Sequence, residues 1–189
     1  MHSAARTMAT ELDEITLRRA ARGEPAATRA LVEMYQVRVF ALVSRIMPAA
    51  GRAAVEDVAQ ETFLQVFRRL AGFDVAGPAR LSTWILTIAA RRAIDELRRK
   101  RPAASSDVER AIVERSAPRR REIARAIEAA LGELSPELRA AFLLRELHGL
   151  DYGEIASALA IDLGTVKSRL SRARAALRAR LAEVHDGER

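Results

Sequence analysis

Apolar positions recur along this chain at helical rather than strand spacing, and short polar breaks divide them into segments. Residues 164–181 read GTVKSRLSRARAALRARL. Val166, Leu170, Ala173, Leu177 and Leu181 follow at steps of four, three, four and four, which draws one narrow apolar stripe along a helix. Thr165, Lys167, Ser168, Ser171, Arg172 and Arg178 fall on the other side. The same logic predicts helices over 12–22, 26–47, 51–70 and 81–100, punctuated by GEP, Pro48, AGFDVAGPAR and Pro102. Residues 102–118 have proline at both ends and no sustained stripe, so they predict a flexible linker with a short helical patch. Beyond it, breaks at LSP (134–136), HGLD (148–151) and IDLG (161–164) divide 119–181 into short helices. The fold class is all-α. Two small helical domains, 26–101 and 119–181, are joined by the linker and flanked by an N-terminal segment, 1–25, and a tail, 182–189.

Composition supports that reading. The 189 residues are 49% hydrophobic but only 4% aromatic, and the abundance of alanine and leucine favours helix. With no cysteine, disulfides, thiolate-ligated zinc and a thiol redox switch are excluded within the chain. The apolar runs are far shorter than a membrane span, and the N-terminus lacks an apolar core like that of a signal peptide. A cytoplasmic protein without membrane insertion is expected. A formal charge of +7 attracts polyanions in general, without selecting one.

Charge placement is more selective. Segment 164–181 holds Lys167, Arg169, Arg172, Arg174, Arg178 and Arg180, and no acid. Ahead of it, Asp151 is placed to cap a helix over 152–160 whose inward face is Ile155, Ala156 and Leu159. The IDLG turn then leads into the basic helix, with Thr165 or Gly164 at its N-cap. This is helix-turn-helix spacing, in which the second helix enters the major groove and its first turns reach base edges. Thr165, Lys167, Ser168, Ser171 and Arg172 are the natural contacts, and Arg174, Arg178 and Arg180 suit phosphate or acidic protein surface.

Two earlier segments carry opposite charge. TWILTIAARRAIDELRRKR places Trp84, Ile85, Ile88, Ala89 and Arg92 at helical steps and gathers Arg91, Arg98, Arg99, Lys100 and Arg101 beyond them. The glycine-containing loop before it, GFDVAGPARLS, together with these arginines suits unstacked bases of single-stranded DNA, with Trp84 as a core anchor. VEDVAQETFLQVF instead carries Glu56, Asp57 and Glu61 without a cation. Its buried side is Val55, Val58, Ala59, Thr62 and Val66. Asp57, Gln60, Glu61 and Leu64 share the other face with Phe67 beside them, a patch that repels DNA and suits a basic protein surface.

In this order, the three segments resemble an extracytoplasmic-function (ECF) sigma factor, a small alternative initiation factor of bacterial RNA polymerase. The resemblance spans about residues 26–181. It implies that EDVAQETFLQVFRRL grips core polymerase through Asp57, Gln60, Glu61, Phe63, Leu64 and Phe67. It implies promoter melting and minus-ten recognition by LSTWILTIAARRAIDELRRKR and the loop before it, with Phe73, Arg80, Ser82, Thr83, Arg91, Arg92, Arg98 and Arg99 as contacts. GLDYGEIASALAIDLGTVKSRLSRAR resembles the minus-thirty-five reader, whose set is Thr165, Lys167, Ser168, Arg169, Ser171, Arg172 and Arg174. Ala160 stands where the family commonly has glycine, and Gly153 replaces a better helix former at an expected cost of roughly 0.5–1 kcal/mol. The expected partners are core polymerase, promoter DNA and an anti-sigma factor.

Other function classes explain less. A free-standing helix-turn-helix regulator accounts for the last helix but leaves the acidic helix and the loop unemployed. An acid–base or metal-dependent enzyme at Glu56, Asp57 and Glu61 lacks a neighbouring histidine, a phosphate loop or a nucleophile motif. No catalytic residue, metal site or cofactor is expected. A membrane-surface helix is disfavoured by the polar first turn and the lack of bulky aromatic anchors.

Overall fold

A computed structural model describes residues 11–77, 79–99 and 118–186, among which the regular structure is entirely helical. The helices are α1 (Glu14–Ala21), α2 (Pro25–Ile46), α3 (Arg52–Arg69), α4 (Leu81–Arg99), α5 (Pro118–Glu133), α6 (Pro136–Glu146), α7 (Tyr152–Leu159) and α8 (Leu163–Asp186). A 3-10 turn, Leu70–Gly72, closes α3. Local signals explain several starts. Asp13 accepts the Thr16 N–H, Pro25 opens α2, and Ser135 with Pro136 opens α6. The linker expected at 102–118 lies outside the described residues apart from Pro118, which begins α5. The expected tail at 182 is instead continuous with α8, which runs on to Asp186.

In the N-terminal half, α2 supplies a fully buried row, Leu31, Tyr35, Val39, Leu42, Val43 and Ile46. Val55, Val58 and Val66 of α3 and Ile85, Leu86, Ala89 and Ala93 of α4 close on it. Leu12, Leu17 and Ala20 are buried as well, so the leading segment from Leu12 onward belongs to this half. In the C-terminal half the core is Ala140, Leu144, Ile155, Val166 and Leu170. Burying each large aliphatic side chain contributes about 1.5–3 kcal/mol.

The two halves share one continuous core. Helix α6 packs on α2 and α4, and α7 packs along α4. One cation marks the seam. Arg139 of α6 is only 5% exposed, and its guanidinium donates to Leu131 O at 2.6 Å, Gly132 O at 2.7 Å, Leu134 O at 2.6 Å and Ile46 O at 2.7 Å. These carbonyls sit at the C-terminal ends of α5 and α2, where helix geometry leaves acceptors without intrahelical donors. Burial brings the guanidinium pKa down to about 10, so it remains charged at neutral pH. A planar five-donor group satisfies four carbonyls from two helix ends at once.

Candidate nucleic-acid interface

The helix-turn-helix is built as its spacing predicts, with a change of cap and of inward face: Ile155 is buried as expected, but the second buried position is Ala158, with Ala156 and Leu159 half-buried. Asp151 and Glu154 form a reciprocal capping box, with Glu154 N–H to Asp151 Oδ1 at 2.8 Å and Asp151 N–H to Glu154 Oε2 at 2.7 Å. Helix α8 begins before the expected Thr165 or Gly164. Asp162 accepts both the Thr165 N–H at 2.8 Å and the Thr165 hydroxyl at 2.6 Å, and so takes the N-cap role. Those two hydrogen bonds, side chain and backbone, hold the Asp162 carboxyl below its ordinary range. Between the helices, Ala160 adopts φ +53°, ψ +50°, the left-handed conformation that glycine takes more cheaply. This turn reverses the chain so that the Ile161 N–H returns to Ala156 O at 3.0 Å.

On α8 the predicted stripe is the buried one. Val166, Leu170, Ala173 and Leu177 are buried and Leu181 half-buried. Lys167, Ser171, Arg172 and Arg178 are exposed, while Thr165, Ser168 and Arg169 are half-buried along the edge of that face. The six cations are not all unbalanced, however. Arg174 pairs with Glu146 of α6 at 2.7 Å and Arg180 with Glu133 of α5 at 2.9 Å. Their acids stand on neighbouring helices, where a reading of α8 alone misses them. Lys167, Arg172 and Arg178 have no ion pair among the described residues and define the open basic face.

The minus-ten set divides in two. Phe73 is half-buried with its ring against Trp84, centroids 5.2 Å apart at 43°, and Arg80 is exposed at the end of the loop. Trp84, expected as a core anchor, is half-buried and packs on the core's edge. The remaining side chains are engaged by protein in this arrangement. Ser82 is buried and its hydroxyl donates to Glu11. Thr83 is buried and donates to Glu154 of α7 at 3.1 Å. Arg91 donates to Ala158 O and Ser157 O, each at 2.6 Å, capping the C-terminal end of α7. Arg92 pairs with Glu61, Arg98 with Glu137 at 3.2 Å, and Arg99 with Glu96 of its own helix at 2.7 Å.

The acidic face of α3 is also as the periodicity expects. Val55, Val58, Thr62 and Val66 are buried and Ala59 is half-buried. Asp57, Gln60, Glu61 and Leu64 are exposed, Leu64 at 49%, with Phe63 and Phe67 half-buried beside them. The expectation that these acids lack cations needs correcting at two positions. Glu56 pairs with Arg52 one turn earlier at 2.7 Å, and Glu61 pairs with Arg92 of α4. Both pairs are solvent-exposed and so worth little energetically, about 0–1 kcal/mol. Asp57 has no ion pair among the described residues.

Three long-range contacts escape a reading of the chain. Arg139, Glu11 and the Arg91 contact to α7 each join segments far apart in sequence. Only Arg139 leaves a local signal, an arginine one turn before Leu143 on a face otherwise apolar.

Comparisons with known proteins agree with this geometry. Residues 31–103 match the family Sigma-70 region 2, and residues 124–177 match Sigma-70, region 4. The ECF RNA polymerase sigma-E factor of Escherichia coli (strain K12) is 35% identical over 181 residues, covering 87% of this chain and 92% of that protein. The same figures hold for ECF RNA polymerase sigma-E factor of Salmonella typhimurium. RNA polymerase sigma-H factor of Pseudomonas aeruginosa is 34% identical over 183 residues, covering 88% and 92%. Among solved structures, CnrH in complex with the cytosolic domain of CnrY aligns with TM-score 0.64 at 28% identity, covering 89% of this chain and 96% of that one. The sigma factor RpoE in complex with the anti-sigma factor NepR, from Bartonella quintana, has the same fold, with TM-score 0.67 at 21% identity over 82% and 96%. With regions 2 and 4 both present and relatives matched along nearly their whole length, this chain belongs to the ECF family of RNA polymerase sigma factors.

Proposed function

We propose that this sigma factor binds core RNA polymerase through α3, holds the minus-ten element with loop 73–80 and α4, and reads the minus-thirty-five element with α8. The observation that carries the reading is the opposition of two exposed faces on one basic protein. Asp57, Gln60, Glu61 and Leu64 face outward on α3, while Thr165, Lys167, Ser168 and Arg172 line a capped helix-turn-helix whose apolar stripe is spent on packing. An acidic patch with an exposed leucine suits a basic protein surface, and an unpaired basic face suits DNA. Arg169, Ser171 and Arg174 extend the second face along α8. Phe63 and Phe67 give the first an apolar border.

The minus-ten assignment depends on the arrangement of the two halves. Phe73 and Arg80 stand clear of α7 in the present packing, whereas Thr83 and Arg91 reach DNA only after α7 leaves α4. Ser82 acts through its bond to Glu11. Arg92, Arg98 and Arg99 become available by giving up exposed ion pairs, which are weak. The protein works as a specificity subunit in the cytoplasm and has no reaction of its own. Among the described residues no helix is long and apolar enough to cross a membrane. The sigma factor RpoE of Bartonella quintana occurs with the anti-sigma factor NepR, and an anti-sigma partner is proposed here on that basis.

Transcription from genomic fragments by purified core polymerase, with and without this protein, tests the reading. New start sites that depend on the factor and lose their signal with Asp57→Lys/Glu61→Lys support it. Tight, sequence-specific duplex binding by the chain without polymerase, and no factor-dependent starts, points instead to a free-standing regulator.

A further inference from the structure

The first described residues hold an interaction that neither region 2 nor region 4 accounts for. Glu11 lies ahead of α1, outside the stretch 31–103 that matches region 2. Its carboxylate nevertheless reaches the first turn of α4, seventy-one residues away. Glu11 Oε2 accepts the Ser82 N–H at 3.2 Å and the Tyr35 hydroxyl at 2.9 Å, and Oε1 accepts the Ser82 hydroxyl. The Tyr35 hydroxyl in turn accepts the Leu12 N–H at 3.2 Å, so the leading segment is fastened at two consecutive residues. Ser82 and Tyr35 are both buried, at 4% and 1% exposure. One carboxylate therefore ties the leading segment to α2 and to the start of α4.

The tie has a direction. A helix start leaves backbone N–H groups without acceptors and carries partial positive charge, so an anion there fixes where the helix begins. What precedes α4 is the loop 73–80, exposed at Asp74, Val75, Ala76, Ala79 and Arg80. Phe73, Val75, Arg80 and Leu81 line a groove of about 270 Å³ together with Glu11 and Leu17. Among the described residues the loop is held by an Asp74 turn to Ala76 at 3.0 Å and Gly77 at 3.2 Å, by backbone bonds at its two ends (Phe73 N–H to Leu70 O and Trp84 N–H to Arg80 O), and by the Phe73–Trp84 contact at its start. Its C-terminal hinge, at Leu81 and Ser82, is held by Glu11.

We propose that Glu11 is a positioning residue for minus-ten recognition, holding the first turn of α4 through Ser82 so that loop 73–80 is preset for an unstacked base. The inference rests on the assignment of that loop to minus-ten DNA. It adds that the leading segment, through one side chain, sets the geometry in which the loop works. Glu11 itself touches no DNA in this account. Presetting a loop lowers the ordering cost paid on binding, so loss of the tie appears in DNA capture before it appears in assembly.

The test uses full-length factor assembled with core polymerase. The probe is a labelled single-stranded oligonucleotide carrying the non-template minus-ten strand of a promoter mapped by factor-dependent transcription. Glu11→Ala should weaken oligonucleotide binding by the holoenzyme about tenfold, the scale of one lost hydrogen-bond network to a charged group. Affinity for core polymerase should be unchanged. Glu11→Gln, which keeps an acceptor for Ser82, should recover part of the loss, and Glu11→Ala should not add to Ser82→Ala because both cut one tie. A merely structural role would lower core affinity and oligonucleotide binding together. Should Glu11→Ala fail to fold, Tyr35→Phe and Ser82→Ala each remove one partner of the same carboxylate and must each weaken capture.

Wild-type capture by a Glu11→Ala holoenzyme, beside clear loss in Phe73→Ala and Arg80→Ala, overturns the role of Glu11 alone. Full additivity with Ser82→Ala overturns it too. Wild-type capture by the Phe73→Ala and Arg80→Ala holoenzymes overturns the loop assignment, and the role of Glu11 with it.

Discussion

Along α4 the cations turn towards protein. Arg91 caps the end of α7 with two 2.6 Å bonds, Arg92 meets Glu61, and Arg98 meets Glu137. Along α8 the cations divide. Arg174 and Arg180 meet acids of α6 and α5, while Lys167 and Arg172 remain exposed with no ion pair among the described residues. Both helices read as basic, and their sequences alone do not distinguish these fates. What separates them is the neighbouring surface. Helix α4 faces the C-terminal end of α7, a site of partial negative charge, whereas the first turns of α8 face solvent. A cation count therefore measures capacity for anions, and the fold decides how much of it is left for DNA.

The largest expected effect lies at the most completely spent cation. Arg139 satisfies four carbonyls from inside the core. Arg139→Met leaves buried carbonyls without a donor and should cost about 2–4 kcal/mol of stability, since each unsatisfied buried acceptor costs about 1–3 kcal/mol and some regain water. Chemical denaturation read by circular dichroism measures it. A loss under 1 kcal/mol would mean that the seam between the halves does not depend on this residue, and that spent and open cations differ less than the geometry indicates.

Next in size is a pH effect at the same seam. His148 follows α6 and is half-buried near Arg38 and Arg45 of α2, with a buried Nε2 that lacks a hydrogen-bond partner among the described residues. Burial, then the two arginines, pushes its pKa down from 6.5 to about 4. The folded state holds the ring neutral where the unfolded state already takes up a proton. Stability from this group is thus full above about pH 6.5 and is lost as pH falls towards 4. The loss is on the order of 2–3 kcal/mol. Denaturation midpoints at pH 7 and pH 5 should differ in that direction, and His148→Gln should flatten the difference. A pH-independent midpoint in the wild type would place the histidine in solvent.

How far the sequence anticipates the structure follows from the range of each signal. The stripes on α3 and α8, the Asp151 cap and the turn positions are local, and periodicity places them correctly. The start of α8 is missed by two or three residues because Asp162 and Thr165 compete as caps by the same chemistry, and only the hydrogen bonds distinguish them. Arg139 to Ile46, Arg91 to Ala158 and Glu11 to Ser82 cross 93, 67 and 71 residues, and helical periodicity carries no information on such pairings. The two helical domains are legible along the chain, but the core they share is not, for the same reason. The inward face of α4 looks alike whether its partner is α2 or α7.

A smaller effect separates the two basic helices directly. Arg172→Ala should lower holoenzyme affinity for a duplex minus-thirty-five fragment about tenfold, within the range for one specific contact, and leave thermal stability unchanged. If Arg172 meets phosphate, the salt slope should fall by about 0.9 as well. Arg91→Ala should act in the opposite sense, loosening α7 from α4 while sparing the duplex contact. Fluorescence anisotropy across a salt titration reads the first effect, and disulfide trapping between cysteines introduced at exposed sites on α4 and α7 reads the second. Equal effects of the two substitutions on duplex binding would erase the distinction between the helices.

The smallest effect probes the helix end that Arg91 holds. Ala160 pays for a left-handed conformation so that α7 stops at the point where Ser157 O and Ala158 O face α4. Ala160→Gly keeps the turn and removes the steric penalty of the methyl group, so it should stabilise the protein by about 0.5–1 kcal/mol. The neighbouring Gly153→Ala should gain less than the usual helix propensity. A methyl group there would lie 3.3 Å from Asp151 Oδ1, the acceptor of the capping box, and would press on the bond it improves. Thermal unfolding of both variants sorts the two glycine positions by cause. If Gly153→Ala stabilises more than Ala160→Gly, helix propensity outweighs the capping contact, and the strain at Ala160 is absorbed elsewhere in the turn.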